Sequence, residues 1–442
     1  MTIKNRLCCF EKERIEIMTH ITIKNVGPIK NVELDLNKIN VFMGPQSSGK
    51  STIAKILCHF QWVEKQCFSD IEHSKKYYEK DTTFYDSLTE YHRLEGYFND
   101  KSFIEYKGDY VTIKYAHQKK HPTISIGGKK YKYPKLSYIP SERNIVAAIP
   151  NLKKYNDSND VILYFMYDWF TSRDEIREQT FDKLINHQLS YKYKNENDYI
   201  IDNGSELLLA NASSGVQSLI PLYLVLYYSL ETIYGQKRPL SYEQKQSINY
   251  LNHETDKMIS DLVRNYSDVE TVKKQLRQLG INTKIKSVDA MKRMLEDLQR
   301  SFSDRYVYYY TQLFVEEPEQ NLFPSTQQKL VYWLLSLLQA NENRSNSLVL
   351  TTHSPYILFA LNNCMMGKLV EKNIPKDVLE SVGEHRTSWI SPKEVGIYEI
   401  EDGKIRCIQD EDGIIEDNYL NKAYKENTAE YLSLLNYYED EE

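Results

Sequence analysis

The run Gly44-Pro45-Gln46-Ser47-Ser48-Gly49-Lys50-Ser51 fits the pattern G-x-x-x-x-G-K-[ST] at every position. A polyphosphate needs many donors at close range. Glycines at both ends of such a loop let backbone N–H groups turn inward, where a following helix presents its positive end. Lys50 then brings a point charge to the β- and γ-phosphates, and the Ser51 hydroxyl brings a hard oxygen for magnesium, with Thr52 next in the cradle. The bland alternative, a glycine turn beside a solvent lysine, leaves the full pattern and its flanks unexplained.

Three further segments carry candidate chemistry. In Leu313-Phe314-Val315-Glu316-Glu317-Pro318 an apolar run is stopped by two carboxylates and a proline, as in a buried strand that delivers acids to the carboxyl edge of a parallel sheet. Glu316 suits the magnesium shell, through water, and Glu317 suits a general base on an attacking water. The strand-like Ser347–Leu350 ends at Thr351-Thr352-His353-Ser354-Pro355, where His353 can reach a γ-phosphate and orient that water. Finally, Ala212-Ser213-Ser214-Gly215-Val216-Gln217-Ser218 precedes an apolar helix over Leu219–Leu230. It reads either as a plain helix cap or as an anion contact made by a hydroxyl and free N–H groups.

The elements that must hold these residues follow from periodicity. Ile21–Val26 and Val32–Leu36 alternate like strands, Ile39–Met43 is a short buried-strand run, and Thr52–Trp62 has apolar residues at helical spacing, so strand, loop and helix come in succession. The fold class expected is α/β, in segments. Residues 1–17 are an extension, with Met1 or Met18 as the start. The head's first part is 18–63, and a peripheral helical and β lobe covers 64–135, helical to about 100 and with short strands at Phe103–Tyr106, Tyr110–Tyr115 and Thr123–Ile126. A second head part spans 136–235. A helical arm covers 236–305, turning near Gly280-Ile281-Asn282, and a third head part covers 306–400. Residues 401–442 form a hairpin and an acidic tail.

Composition narrows the class. Hydrophobic residues make up 41% and charged residues 27%, near the globular norm, and the formal net charge of -6 leaves room only for local nucleic-acid contact. The 36 tyrosines read as compositional bias more readily than as a stacking surface. Six cysteines without C-x-x-C spacing suggest a reducing cytoplasm, and Leu219–Leu230 is too short and too interrupted for a membrane span.

In this order the four segments resemble the Walker A, signature, Walker B and switch-histidine motifs of ABC ATPases, with Ser213–Gln217 standing where that family has L-S-G-G-Q. More narrowly, Ile21–Lys30, Glu316-Glu317-Pro318-Glu319 and Thr352-His353-Ser354-Pro355 resemble the RecF, SMC and OLD branch, over about residues 18–62, 136–235 and 306–400. The resemblance implies a P-loop ATPase head binding ATP and Mg2+. It also implies a homodimer or higher oligomer in which Ser213, Ser214, Gly215 and Gln217 of one copy close on the ATP held by another. A role in DNA repair, chromosome maintenance or antiphage defence is implied too. Two departures stand out: Val216 where the family has its second glycine, and Glu316 where an aspartate is usual. Tyr138-Ile139-Pro140-Ser141-Glu142-Arg143 falls where the family has its glutamine-bearing loop, so Glu142 and Arg143 are either site residues or a surface ion pair. DNA, an effector nuclease or a toxin subunit remain open as partners. An ATP-binding sensor with little turnover, or an OLD-like nuclease using Asp410-Glu411-Asp412, remain open as alternatives to the ATPase switch.

Overall fold

A computed structural model describes residues 19–127, 131–149, 160–181, 184–185, 189–234, 253–262, 269–278, 283–304, 307–435 and 437–438. The extension 1–17, the turn at 280–282 and the acidic residues 439–442 lie outside the described residues. The chain divides into two compact units, one made of 1–232 with 310–442 and the other of 233–309.

In the larger unit, β1 (His20–Val26) and β2 (Ile29–Asp35) form an antiparallel pair, followed by β3 (Ile39–Met43), whose five residues are all buried. A strand buried on both faces belongs inside a parallel sheet. From β3 the chain enters α1 (Lys50–Ser69), then α2 (Ile71–Tyr78) and α3 (Thr83–His92). The strands β4 (Phe98–Lys107), β5 (Val111–Ala116) and β6 (Pro122–Ile126) follow. Next come β7 (Pro134–Ile139), α4 (Ile145–Ala148) and α5 (Val161–Glu175). The short strands β8 (Glu178–Thr180), β9 (Leu189–Lys194), β10 (Asn197–Asp202) and β11 (Ser205–Leu208) then lead to α6 (Ser214–Tyr227).

After the smaller unit the chain re-enters through β12 (Tyr310–Glu316). Among the described residues β12 belongs to one large sheet with β13 (Ser347–Thr352), β14 (Val395–Glu401) and β15 (Lys404–Cys407), in the order β6-β5-β4-β1-β2-β15-β14-β3-β13-β12-β7. The stretch β14-β3-β13-β12-β7 is parallel throughout. The stretch β6-β5-β4-β1-β2 is antiparallel. The strands expected in a peripheral lobe over 64–135 therefore differ from that expectation: β4 pairs directly with β1, and they widen the main sheet. The boundary drawn at residue 63 also falls inside α1, which runs unbroken to Ser69. The C-terminal hairpin starts earlier than 401, at Val395.

A second, antiparallel sheet has the order β11-β10-β9-β8. Its turns hold Asn195, Glu196, Asn203 and Gly204 at positive φ, the backbone that tight hairpins require. Beyond β12, the helices α10 (Pro324–Gln339) and α11 (Pro355–Val370) pack against each other, and α12 (Leu379–Val382) and α13 (Tyr419–Leu435) complete the chain. Where a hairpin and acidic tail are expected over 401–442, the helix α13 occupies Tyr419–Leu435. No helix among the described residues is long and apolar enough to cross a membrane.

The smaller unit contains α7 (253–262), α8 (Val269–Gln278) and α9 (Val288–Asp304). Met258, Leu262, Val272, Leu276, Met291 and Leu295 are buried together. Each of these helices turns one apolar stripe inward, so the described residues of the unit share a core of their own.

Candidate functional site

Parallel strands deliver their C-terminal ends to one edge of a sheet, and three neighbours, β3, β13 and β12, do so here in that spatial order. The loop 44–49 leaves β3, His353 follows β13, and Glu316 and Glu317 stand at the end of β12. Residues up to 309 positions apart are brought together by strand order alone.

The loop after β3 depends on its glycines. Gly44 has φ 149, and a Cβ there would lie 2.4 Å from the Ile400 carbonyl oxygen of β14 and 2.9 Å from Ser48 Oγ. Gly49 caps α1 in the left-handed region at φ 109. Pro45, Gln46 and Ser47 are exposed along the rim, and Thr52 is buried in the first turn of α1. Ser48 Oγ is buried with no hydrogen-bond partner among the described residues. An orphaned hydroxyl in a glycine-bounded loop at a helix N-terminus suits an anion that would take up its donor. Lys50 is folded over its own loop, its Nζ donating to the carbonyls of Gly44 at 2.9 Å and Pro45 at 2.8 Å. Burial lowers its pKa to about 8, against the opposing pull of Glu317 and Glu319.

Glu316 is buried and accepts two hydroxyls: Ser51 Oγ donates to Oε2 at 2.8 Å, and Tyr138 donates to Oε1. Burial pushes its pKa up, while the Lys55 charge and both hydroxyls pull it down. The paired hydroxyl and carboxylate oxygens form a hard-ligand set that fits magnesium.

Glu317 leaves the strand in an unusual backbone conformation. Its φ is 44, in the left-handed region, although its N–H still donates to the Thr351 carbonyl at 2.9 Å as the β12–β13 ladder ends. Such a conformation in a non-glycine residue costs on the order of 1–3 kcal/mol and persists where surroundings over-determine it. Across the edge, His353 Nε2 lies 3.6 Å from Glu317 Oε1. Burial, with the Lys50 charge, lowers the imidazole pKa, which favours a neutral ring at pH 7. His353 is held from behind: its backbone N–H donates to Glu319 Oε1 at 2.6 Å, and Thr352 Oγ1 donates to the same oxygen at 2.9 Å.

The tip of α6 forms a capped helix start. Ser213 Oγ accepts from the Val216 N–H at 3.5 Å, and Ser213 and Ser214 are exposed. Gln217 turns its side chain back, donating to the carbonyls of Leu209 at 3.3 Å and Ala210 at 2.8 Å. The tip abuts the turn after β12: a Cβ on Gly215 would lie 2.8 Å from the Asn321 carbonyl oxygen, and Asn321 Nδ2 donates to Ser218 Oγ at 2.9 Å.

Glu142 and Arg143 part company. Glu142 is exposed and accepts from Ser141 Oγ at 3.0 Å, whereas Arg143 is 0% exposed. That burial excludes the surface ion pair. Arg143 Nη1 donates to the Glu316 carbonyl at 2.9 Å and Nη2 to the Glu317 carbonyl at 2.8 Å. Asp410, the first acid of the D-x-D sequence, closes a turn, its Oδ1 accepting from the Ile414 N–H at 2.8 Å. Sequence reasoning singled out neither Tyr138 nor Glu319 as a site residue. Tyr138 had a usable signal, since it is the next-to-last residue of β7, just before the loop that carries Arg143.

No family model matches the chain, and no curated protein matches it. Solved structures do. The SMC head domain from Thermotoga maritima is similar over 90% of this chain and 99% of its own, at 9% identity and a TM-score of 0.36. The recombination mediator protein RecF-ATPrS in the RecFOR pathway is similar over 88% of this chain and 98% of its own, at 10% identity and a TM-score of 0.30. An Smc head domain with an extended coiled coil, bound to the C-terminal domain of ScpA derived from Pyrococcus furiosus, is similar over 88% of this chain and 96% of its own, at 7% identity and a TM-score of 0.34.

Proposed function

We propose that this chain is an ATP-hydrolysing head of the ABC type that works as an ATP-gated dimeric switch. The observation that carries this reading is the convergence at one sheet edge of the glycine-bounded loop with Lys50, the Ser51–Glu316 hydrogen bond, and the Glu317–His353 pair. Backbone N–H groups of the loop, the Ser48 hydroxyl and Lys50 bind the triphosphate, once Lys50 exchanges its carbonyl partners for phosphate oxygens. Ser51 and Glu316 would hold magnesium, which supplies positive charge against the phosphate oxygens. Glu317 takes the proton of an attacking water, and a neutral His353 orients that water by accepting or donating one hydrogen bond.

The exposed tip of α6, with Ser213, Ser214 and Gly215, offers donors to the γ-phosphate of nucleotide held by a second copy. ATP then favours the closed pair and hydrolysis releases it. The helical unit 233–309 carries the change to a nucleic acid or a protein partner. By the resemblance of its motifs, the switch serves DNA maintenance or antiphage defence.

The test is Glu317→Gln. It should bind ATP, lose turnover by roughly 10²–10⁴-fold and accumulate as a dimer in ATP on sizing chromatography. A variant that stays monomeric in ATP sinks the switch, and a wild-type chain that releases no phosphate sinks the ATPase.

A further inference from the structure

Arg143 sits in the short turn Ser141–Asn144 that follows β7. Burying a guanidinium costs several kcal/mol unless its donors are met, and here they are met by main-chain carbonyls from two separate elements. Three lie in a row at the end of β12: Glu316 at 2.9 Å, Glu317 at 2.8 Å and Pro318 at 3.3 Å. The fourth is the carbonyl of Ser218 at the start of the second turn of α6, which accepts from Nε at 3.3 Å. The planar fork of arginine suits this task, because its N–H groups point in fixed, diverging directions.

The two elements it joins are the two that matter to the proposed reaction. One carries Glu317, whose left-handed backbone needs outside support, and Arg143 grips the carbonyls on both sides of that residue's Cα. The other carries the Ser213–Gly215 tip, one turn before Ser218. The same elements are joined again by Asn321, through its side-chain bond to Ser218 Oγ and the close approach of its carbonyl to Gly215.

We propose that Arg143 is a positioning residue that holds the Glu317 backbone in its left-handed conformation and ties it to Ser218 of α6, one turn beyond the tip. A displacement of the α6 tip, when a second subunit's nucleotide docks on it, is thereby felt at Glu317 of the same chain. This inference rests on the ATPase reading above and deepens it, since it makes each active site sensitive to the occupancy of the other.

The experiment compares wild type, Arg143→Lys, Asn321→Ala and the double variant in the full chain, measuring affinity for a fluorescent ATP analogue and phosphate release. A lysine keeps the charge but cannot span carbonyls on two elements. Both single variants should keep nucleotide affinity within about 3-fold while kcat falls by roughly 10- to 100-fold, the scale of a small misplacement of a catalytic group. The double variant should be no slower than Arg143→Lys, because the two residues act as one unit. Unchanged kcat, losses of kcat and affinity in equal measure, or additive losses in the double variant would overturn the proposal. If Arg143→Lys does not fold, Asn321→Ala decides alone, by a fall in kcat at constant affinity or its absence. A wild-type chain without phosphate release overturns the ATPase reading and this inference together, which separates that failure from the others.

Discussion

Ser51 Oγ lies 2.8 Å from Glu316 Oε2, although the two residues are 265 positions apart. The pair closes a path from the first turn of α1 to the end of β12, passing over the end of β13. Under the proposed function this hydroxyl and this carboxylate would hold magnesium, while Tyr138 donates to the second carboxylate oxygen.

Ser51→Ala should therefore leave the fold largely intact and remove the metal dependence of nucleotide binding. The buried Glu316 carboxylate keeps the Tyr138 hydroxyl but loses a donor, a cost of about 1–3 kcal/mol in stability. Titration with a fluorescent ATP analogue, with magnesium and with EDTA, reads the functional effect. Wild type should bind more tightly with magnesium and the variant equally in both, so retained magnesium dependence in the variant would remove Ser51 from the metal shell.

Lys50 gives a pH dependence with a definite sign. Burial lowers its pKa from 10.5 to about 8 in the folded chain, so between these values the unfolded chain holds the proton and the folded chain does not. The stability penalty from this group is fully present below pH 8 and is relieved as pH rises toward 10.5. Nucleotide affinity runs the opposite way. A neutral amine attracts no phosphate, so the apparent Kd should climb above pH 8, approaching about tenfold per pH unit, and binding at pH 8.5 should take up a proton. Calorimetry in buffers of different ionisation enthalpy measures that uptake, and none would place Lys50 away from the phosphates.

What could be read from the sequence was local. The loop 44–51 with its flanking strand and helix, the acids ending β12 and the histidine after β13 each announce themselves within ten residues. Arg143 could not be placed that way: its burial comes from Ser218 and Glu316–Pro318, distant in sequence, and nothing near Arg143 signals either. The strands β4–β6 were seen as strands, but their membership of the main sheet depends on β4 choosing β1 as its partner. The β9–β10–β11 meander was missed for a different reason. Asn203-Gly204 is a strong hairpin signal between strands rich in Tyr and Ile, but the Lys, Asn, Asp and Glu residues interleaved over 192–206 break up the apolar alternation that marks strands.

Glu64, on α1, gives a second pH prediction in the opposite direction from Lys50. It is buried at the turn between β4 and β5, accepting from Tyr106 Oη at 2.6 Å and from the Tyr110 N–H at 2.7 Å. Burial outweighs these bonds and lifts its pKa from 4.5 to about 7. The folded pKa lies above the unfolded one, so its stabilising contribution is complete below about 4.5 and is lost as pH rises through 7. Glu64→Gln keeps the shape and an acceptor for Tyr110 but cannot ionise. Wild type should lose up to about 3 kcal/mol relative to the variant between pH 4.5 and 8, read as the difference between urea-unfolding curves. Parallel pH profiles would show that Glu64 ionises freely in the folded chain.

The approach of Gly215 to Asn321 sets the last prediction. A methyl group at Gly215 would sit 2.8 Å from a backbone carbonyl oxygen, so either the α6 tip or the turn after β12 must move. Alanine gains about 1 kcal/mol over glycine in helix propensity, against roughly 1–3 kcal/mol for overpacking, so the fold should survive with a small net loss. In the proposed switch the tip is the surface offered to the second copy's nucleotide, so function should suffer more than stability, because this contact sets the tip's position. In a Glu317→Gln background, Gly215→Ala should leave ATP affinity of the isolated chain unchanged and weaken the ATP-dependent dimer by tenfold or more, about 1.4 kcal/mol. Sedimentation across a concentration series measures that constant. Because the methyl group forces a shift there, an undiminished dimer would mean that the tip does not meet nucleotide in trans, and would detach this helix from the switch.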